Sequence, residues 1–356
     1  MTPFKLKSVR KKLGRINRNI EGKNYSLTPF LKNLLEKHQP EYTYLEKQSD
    51  LSFSPWKQII RDMVKEKLRL IDPLPPAEQD LIIYAEAKKN RVNFIKLSLT
   101  ALKGLRIPAI LCIPEKLSKE APVMVCLHGH YPDSKETITG LKRSKTESYF
   151  AYELAKKGII TLSLDWIGMG ERERFKHKLP MSRSYEGHRS NWIRFIGLDM
   201  IGLRITEVIA FINYLSKREE IDSSRIGIIG HSGGGTLALF TSIVEKRIKL
   251  CATSGYFGTW QDSILGMYHC GCNYIGDLGK FAELYDIYAA LAPLPLAVCI
   301  GEKDNIFPLS GTKRAIPILQ KAYQDAEASN HLMIDVHPKA HKFEGRKMYP
   351  FILRHL

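Results

Sequence analysis

Nowhere does an uninterrupted apolar run reach the ~18–20 residues that a membrane-spanning helix needs, so the sequence offers no candidate span. The N-terminus has basic residues but no apolar core segment and no small-residue cleavage site, so a secretory leader is not expected. Cysteine is also scarce: six thiols in 356 residues do not read as a disulfide framework. Cys112, Cys126, Cys251 and Cys299 lie in apolar, strand-like runs, where a free thiol behaves as a small hydrophobe. A reducing, cytoplasmic setting is the expectation that follows. Internal repeats and low-complexity tracts are absent. The length suits one large α/β domain with an appendage, or two modest domains.

Acidic residues are the remaining shortage. Lys and Arg number 54 against 37 Asp and Glu, a formal net charge of +17. Residues 1–70 alone stand at +9, and the first twenty hold seven basic side chains and no acid. Such an arm suits nucleic acid, anionic lipid or an acidic substrate. It also suits an organellar transit peptide, although serine is sparse. No aromatic-interleaved motif accompanies the charge. The arm therefore reads as a solvated, partly helical tail, and nucleic acid is not an expected partner.

Residues 1–50 are polar, basic and weakly periodic. Trp56, Ile59, Ile60, Met63, Val64 and Leu68 recur at helical spacing and predict an amphipathic helix over Phe53 to Ile71. Asp72-Pro73-Leu74-Pro75-Pro76 stops it and marks a boundary, giving an arm and helix over 1–76 and a main domain over 77–356. Strand-like runs follow at 81–85, 92–99, 107–113, 123–127, 159–164, 226–229, 250–253, 296–300 and 332–336. Helical patterns at 148–156, 199–215, 236–244 and 313–326 separate most of the later ones. Early strands joined by turns, then strand–helix alternation, predict a mixed sheet, antiparallel first and parallel afterwards. Ligands in such folds bind beyond the carboxyl ends of the strands.

Behind the run Ile226 to Ile229 stands Gly230-His231-Ser232-Gly233-Gly234, a G-x-S-x-G sequence between a strand and a helix. A serine at the tip of so tight a turn has strained dihedrals, and side chains two positions either side would collide. Gly230 and Gly234 remove those side chains and leave the Ser232 hydroxyl exposed. A serine needs a base, and the base an orienting acid, which follow this turn in the order acid, then His. Asp304, in the turn after strand 296–300, is the expected acid, with Glu302 its competitor and an ordinary Asx turn the plainer reading. His341, in the loop beyond the last strand, is the expected base; His337 caps that strand. Oxyanion donors are expected from the backbone N–H groups of His130, in His128-Gly129-His130, and of Gly233.

Three segments tempt other readings. His128 and His130 have ligand-like spacing but no obvious third partner, and His269-Cys270-Gly271-Cys272 is half a metal site whose other half is missing. It reads as a loop near the pocket with free thiols, so no metal and no cofactor is expected. Asp165-Trp166-Ile167-Gly168-Met169-Gly170-Glu171-Arg172 follows a strand but lacks G-x-G-x-x-G and reads as a structural turn. The basic stretch from Glu171 to Ile196, between strand and helix, suits a pocket cover that biases the site toward anionic substrates.

With elbow, acid and base in order, the chain from about residue 80 resembles the α/β-hydrolase superfamily. More narrowly it resembles the acetyl xylan esterase, cephalosporin-C deacetylase and dienelactone-hydrolase-like group. The resemblance rests on Leu127 to His130, Asp165 to Arg172, Gly230 to Gly234, His269 to Tyr274, Ala292 to Pro295, Gly301 to Pro308 and His341, with Trp56 on a leading helix. It implies a mostly parallel central sheet of about eight strands flanked by helices, with a helical N-terminal extension. It also implies ester hydrolysis by a Ser-His-Asp triad through an acyl-enzyme, without a cofactor, on a small-molecule ester. Dienelactone hydrolases use cysteine where Ser232 stands, and related members carry Arg at the position of Leu294. Fold-level analogy leaves the substrate open. A prolyl-oligopeptidase-type peptidase and a non-catalytic basic binding module are the alternatives.

Overall fold

Tight turns in the first third of the domain and helical crossovers in the rest produce two kinds of strand pairing in one sheet. The computed structural model describes residues 27–47, 51–117, 120–130, 134–144, 148–172 and 185–356. Its strands are β1 (Ile82–Lys89), β2 (Val92–Leu102), β3 (Leu105–Pro114), β4 (Ala121–Leu127), β5 (Ile160–Leu164), β6 (Ile221–His231), β7 (Ile248–Ser254), β8 (Leu296–Gly301) and β9 (Leu332–His337). They form one nine-stranded sheet in the order β1-β2-β3-β5-β4-β6-β7-β8-β9. β1, β2, β3 and β5 pair antiparallel. From β5 through β9 every pairing is parallel. This is the α/β-hydrolase architecture, with nine strands instead of about eight.

The parallel strands are covered on both faces, as their continuous apolar character requires. Along β4, Val123, Val125 and Leu127 face one core and Met124 and Cys126 the other, as strand alternation dictates. The first core takes in helices Phe53–Leu68, Met200–Leu215 and Gly233–Val244; the second takes in Phe150–Lys156 and Met348–His355.

Residues Pro40–Leu356 form one compact unit and Met1–Gln39 another. In the smaller unit the described helix Leu27–Lys37 carries Leu27, Phe30, Leu31 and Leu34 at helical spacing. The basic first twenty residues lie outside the described residues. Helix Phe53–Leu68 belongs to the larger unit's core, with Trp56, Ile60, Val64 and Leu68 at most 1% exposed. Arg61 from this helix donates to the carbonyls of Ser242 and Ile243 at the end of helix Gly233–Val244, where a cation also offsets the helix dipole. Gly202 admits the approach: a Cβ there would stand 1.8 Å from the Leu68 carbonyl oxygen.

Parallel register sets the carboxyl ends side by side. Leu127 pairs with Gly230, His231 with Ser254, and Gly301 with His337. The loops leaving the ends of these five strands, β4, β6, β7, β8 and β9, carry the candidate site.

Candidate functional site

Ser232 directly follows β6 and caps the N-terminus of helix Gly233–Val244 with φ 53° and ψ −120°. Positive φ in a residue with a Cβ is strained, and two glycines make room for it. A Cβ on Gly230 would lie 2.0 Å from the Gly234 carbonyl oxygen, and one on Gly234 would lie 2.0 Å from that of Leu127. The turn is tied to the sheet by the Ser232 N–H, which donates to the Ser254 carbonyl at 2.8 Å. The Ser232 side chain makes no capping hydrogen bond, so its hydroxyl is not spent on the helix end.

Asp304 follows β8. Its Oδ1 accepts from the N–H groups of Ile306 at 2.8 Å and Phe307 at 3.0 Å. Its Oδ2 lies 2.7 Å from Nδ1 of His341. The plainer Asx-turn reading and the functional reading thus coexist: the turn fixes one oxygen and thereby aims the other. Glu302 is exposed and its backbone N–H is bound to the His337 carbonyl. The loops after β8 and β9 are drawn together at Gly301, where a Cβ would meet the Ala340 and Lys339 carbonyl oxygens at 2.2 and 2.4 Å.

His341 lies against the Ser232 turn. A Cβ on Gly255, next to the Ser254 that anchors Ser232, would meet its Cε1 at 2.8 Å. His341 Nε2 is buried and has no hydrogen-bond partner among the described residues. Phe307 stacks beside the ring with centroids 6.2 Å apart, and His231 lies 5.0 Å away on another side. Burial holds the His231 imidazole well below its ordinary pKa, with His341 adding to the shift. Sequence reasoning missed Phe307 and His231 as neighbours of His341, although both sit inside the motifs it singled out.

His128 and His130 separate in role. His128 is fully buried, stacks on Trp166 at 3.7 Å, and donates from Nδ1 to the Gly129 carbonyl at 2.6 Å. Burial pushes it down to about 3, so it is neutral packing. His130 lays its ring on the helix start: a Cβ on Gly233 would lie 2.4 Å from its Cε1. Gly233 is the first residue of that helix, a position whose N–H has no acceptor within the helix.

The loop His269–Cys272 lies against His130 and Phe307. Cys272 Sγ is 3.6 Å from His130 Nε2, and the ligand atoms of His130, Cys270 and Cys272 all lie within 4.8 Å of one another. The half-site that lacks a partner in the sequence therefore has one in space. His269 borders Phe307 at 5.8 Å, and burial lowers it to about 4.

Asp165 to Arg172 is a structural turn built on charge. Lys135, 1% exposed, reaches Asp165 and Glu171 at 2.6 Å each. A Cβ on Gly170 would collide with the Asp165 carboxylate at 2.2 Å. Arg172 pairs with buried Glu207 at 2.7 Å. Of the basic stretch expected to cover the pocket, residues 173–184 lie outside the described residues and Tyr185–Phe195 is a helix. Its Arg194 donates to the Gly271 and Tyr274 carbonyls.

A family model described as the Abhydrolase family matches residues 15–248, and one described as the Dienelactone hydrolase family matches residues 195–349. YtaP of Bacillus subtilis (strain 168), provisionally named a hydrolase, is 27% identical over 286 residues, covering 75% of this chain and 88% of that one. A solved structure from Bacteroides fragilis NCTC 9343, provisionally named an acetyl xylan esterase, superposes with a TM-score of 0.75 at 17% identity, covering 96% of this chain and 97% of its own. Acetyl xylan esterase 1 from Thermoanaerobacterium sp. JW/SL YS485 gives 0.55 at 16% identity, covering 84% of this chain and 93% of its own. At such identities the two structures speak to the fold.

Proposed function

The chain belongs to the Abhydrolase family, and from that premise we propose that it hydrolyses carboxylic esters of small acyl groups through a serine acyl-enzyme. Ser232 Oγ attacks the ester carbonyl carbon while His341 Nε2 takes its proton. Asp304 holds the imidazole by Nδ1 and stabilises the imidazolium that forms. The carbonyl oxygen, now negative, is received by the N–H groups of His130 and Gly233 at the helix N-terminus. Collapse expels the alcohol, which takes the proton back from His341. Water, activated by the same imidazole, then attacks the acyl carbon and releases the carboxylic acid.

The observation that carries this reading is the Asp304–His341 contact of 2.7 Å, with the far imidazole nitrogen buried and without a hydrogen-bond partner among the described residues, beside the strained Ser232 turn. Hydrogen bonds between nucleophile and base commonly tighten only when substrate arrives. The neighbours named as acetyl xylan esterases point to an acetyl ester as the narrower substrate class. A peptidase of the prolyl-oligopeptidase type shares the serine turn, and relative turnover of an ester and an amide separates the two readings.

Turnover of para-nitrophenyl acetate and of para-nitroacetanilide tests the proposal. Ester turnover should exceed amide turnover, and Ser232→Ala should lower it by about 10⁴-fold or more. Undiminished turnover by Ser232→Ala, or a preference for the amide, would overturn the reading.

A further inference from the structure

We propose that His130, Cys270 and Cys272 form a three-ligand site for Zn²⁺ or a divalent ion of similar softness, built from side chains that the proposed serine chemistry does not use. Two thiolates and an imidazole are the donor set that such ions favour. The spacing also fits. With Zn–S of about 2.3 Å and Zn–N of about 2.0–2.1 Å, a tetrahedral site has an S···N edge of roughly 3.5 Å. The observed Cys272 Sγ to His130 Nε2 separation is 3.6 Å, and Cys270 completes a triangle with no side above 4.8 Å. Three protein ligands leave the fourth position open to water or another small ligand.

The surroundings hold these donors as a metal site's outer contacts would. Asn273 Nδ2 points at Cys272 Sγ from 3.9 Å, and Thr236 donates to the Asn273 carbonyl oxygen at 3.4 Å, which sets the amide's orientation. The Gly271 carbonyl, between the two cysteines, accepts from Arg194 at 2.7 Å. Gly271 itself has Ser190 Cβ only 3.3 Å from where its own Cβ would stand. The His130 ring is fixed against Gly233. Cys270 and His130 are only partly buried, which gives an ion its way in. The bridge His130–Cys272 spans 142 residues of sequence, so no local motif reveals it.

The other four thiols do not compete. Cys112, Cys126, Cys251 and Cys299 are buried. Burial pushes Cys112, Cys251 and Cys299 up to about 12.

The test is titration of the reduced full chain with Co²⁺, read by thiolate-to-cobalt charge-transfer absorption, followed by displacement with Zn²⁺. One ion per chain is expected. Cys270→Ser and Cys272→Ser should each weaken binding by more than about 100-fold, and Asn273→Ala by about 10-fold. Ser232→Ala should bind the ion as the parent does, which separates this site from the hydrolytic reading. Zn²⁺ should also slow alkylation of Cys270 by iodoacetamide. Cys270 is partly exposed, so Cys270→Ser keeps the fold even if Cys272→Ser does not; an unchanged circular dichroism spectrum checks this. Absence of thiolate absorption at stoichiometric ion would mean a thiol–imidazole contact only. Bands that persist in folded Cys270→Ser would place the ion elsewhere. Either result overturns the proposal.

Discussion

At the scale of single residues, chemistry depends on which oxygen of Asp304 faces which neighbour. Two backbone N–H groups hold Oδ1 and leave Oδ2 for His341. Asp304→Asn can keep the turn through its carbonyl oxygen but then presents an amide N–H to Nδ1, which favours the wrong tautomer. Ester turnover should fall by about 10⁴-fold, somewhat less than for Ser232→Ala, with the thermal midpoint little changed. Near-parental turnover would move the acid elsewhere. Gly234→Ala should act through packing, since its Cβ would lie 2.0 and 2.6 Å from the carbonyl oxygens of Leu127 and His128. Neither strand nor helix can retreat, so a loss of about 3 kcal/mol or more is expected in urea unfolding. Ser232, Asp304 and His341 were legible as candidates because each follows an apolar strand in a fixed order. The contacts of His130 with Gly233 and Cys272 were not, because they join loops far apart in sequence.

At the scale of elements, the turn after β5 is held by buried charge. Lys135 sits between Asp165 and Glu171, and Lys96 reaches Glu171 from β2 at 2.6 Å. Lys135→Met would leave the Asp165 carboxylate buried without its cation, a loss of about 3–5 kcal/mol. Urea unfolding should show it, and Lys135→Met with Asp165→Asn should recover part of it. Equal losses in the single and double variants would contradict the pairing. Strand positions were readable because buried parallel strands are largely apolar; β6 reaches beyond its apolar run back to Ile221, and β1 on to Lys89. Helix starts were less readable. Gly233, Gly234 and Gly235 open a helix although glycine disfavours one, because Cβ atoms there would meet His130 Cε1, the Leu127 carbonyl oxygen and Tyr256 Cβ at 2.4, 2.0 and 2.9 Å.

At the scale of the whole molecule, several histidines are folded in the neutral form. Burial lowers His128 to about 3 and His269 to about 4, and holds His231 well below 6.5. Each keeps a depressed value when folded, so its contribution is complete above 6.5 and is lost as pH falls toward the folded value. Stability should therefore drop between pH 6.5 and 4, by up to about 1.4 kcal/mol per pH unit for each histidine. Asp199, raised by burial to about 6, works in the opposite direction below pH 6. Urea unfolding across this range checks the slope, and His128→Gln should flatten it by about one proton's worth. An unchanged slope would contradict the neutral buried state.

The central claim is that the strained turn after β6 presents a serine that attacks carbonyl carbon. Reaction of the full chain with a fluorophosphonate probe, followed by mass-spectrometric mapping of the modified peptide, tests it most directly. The account predicts one adduct per chain, on Ser232, absent in Ser232→Ala and strongly slowed in His341→Ala. An adduct on another side chain, or none in folded protein, would contradict it.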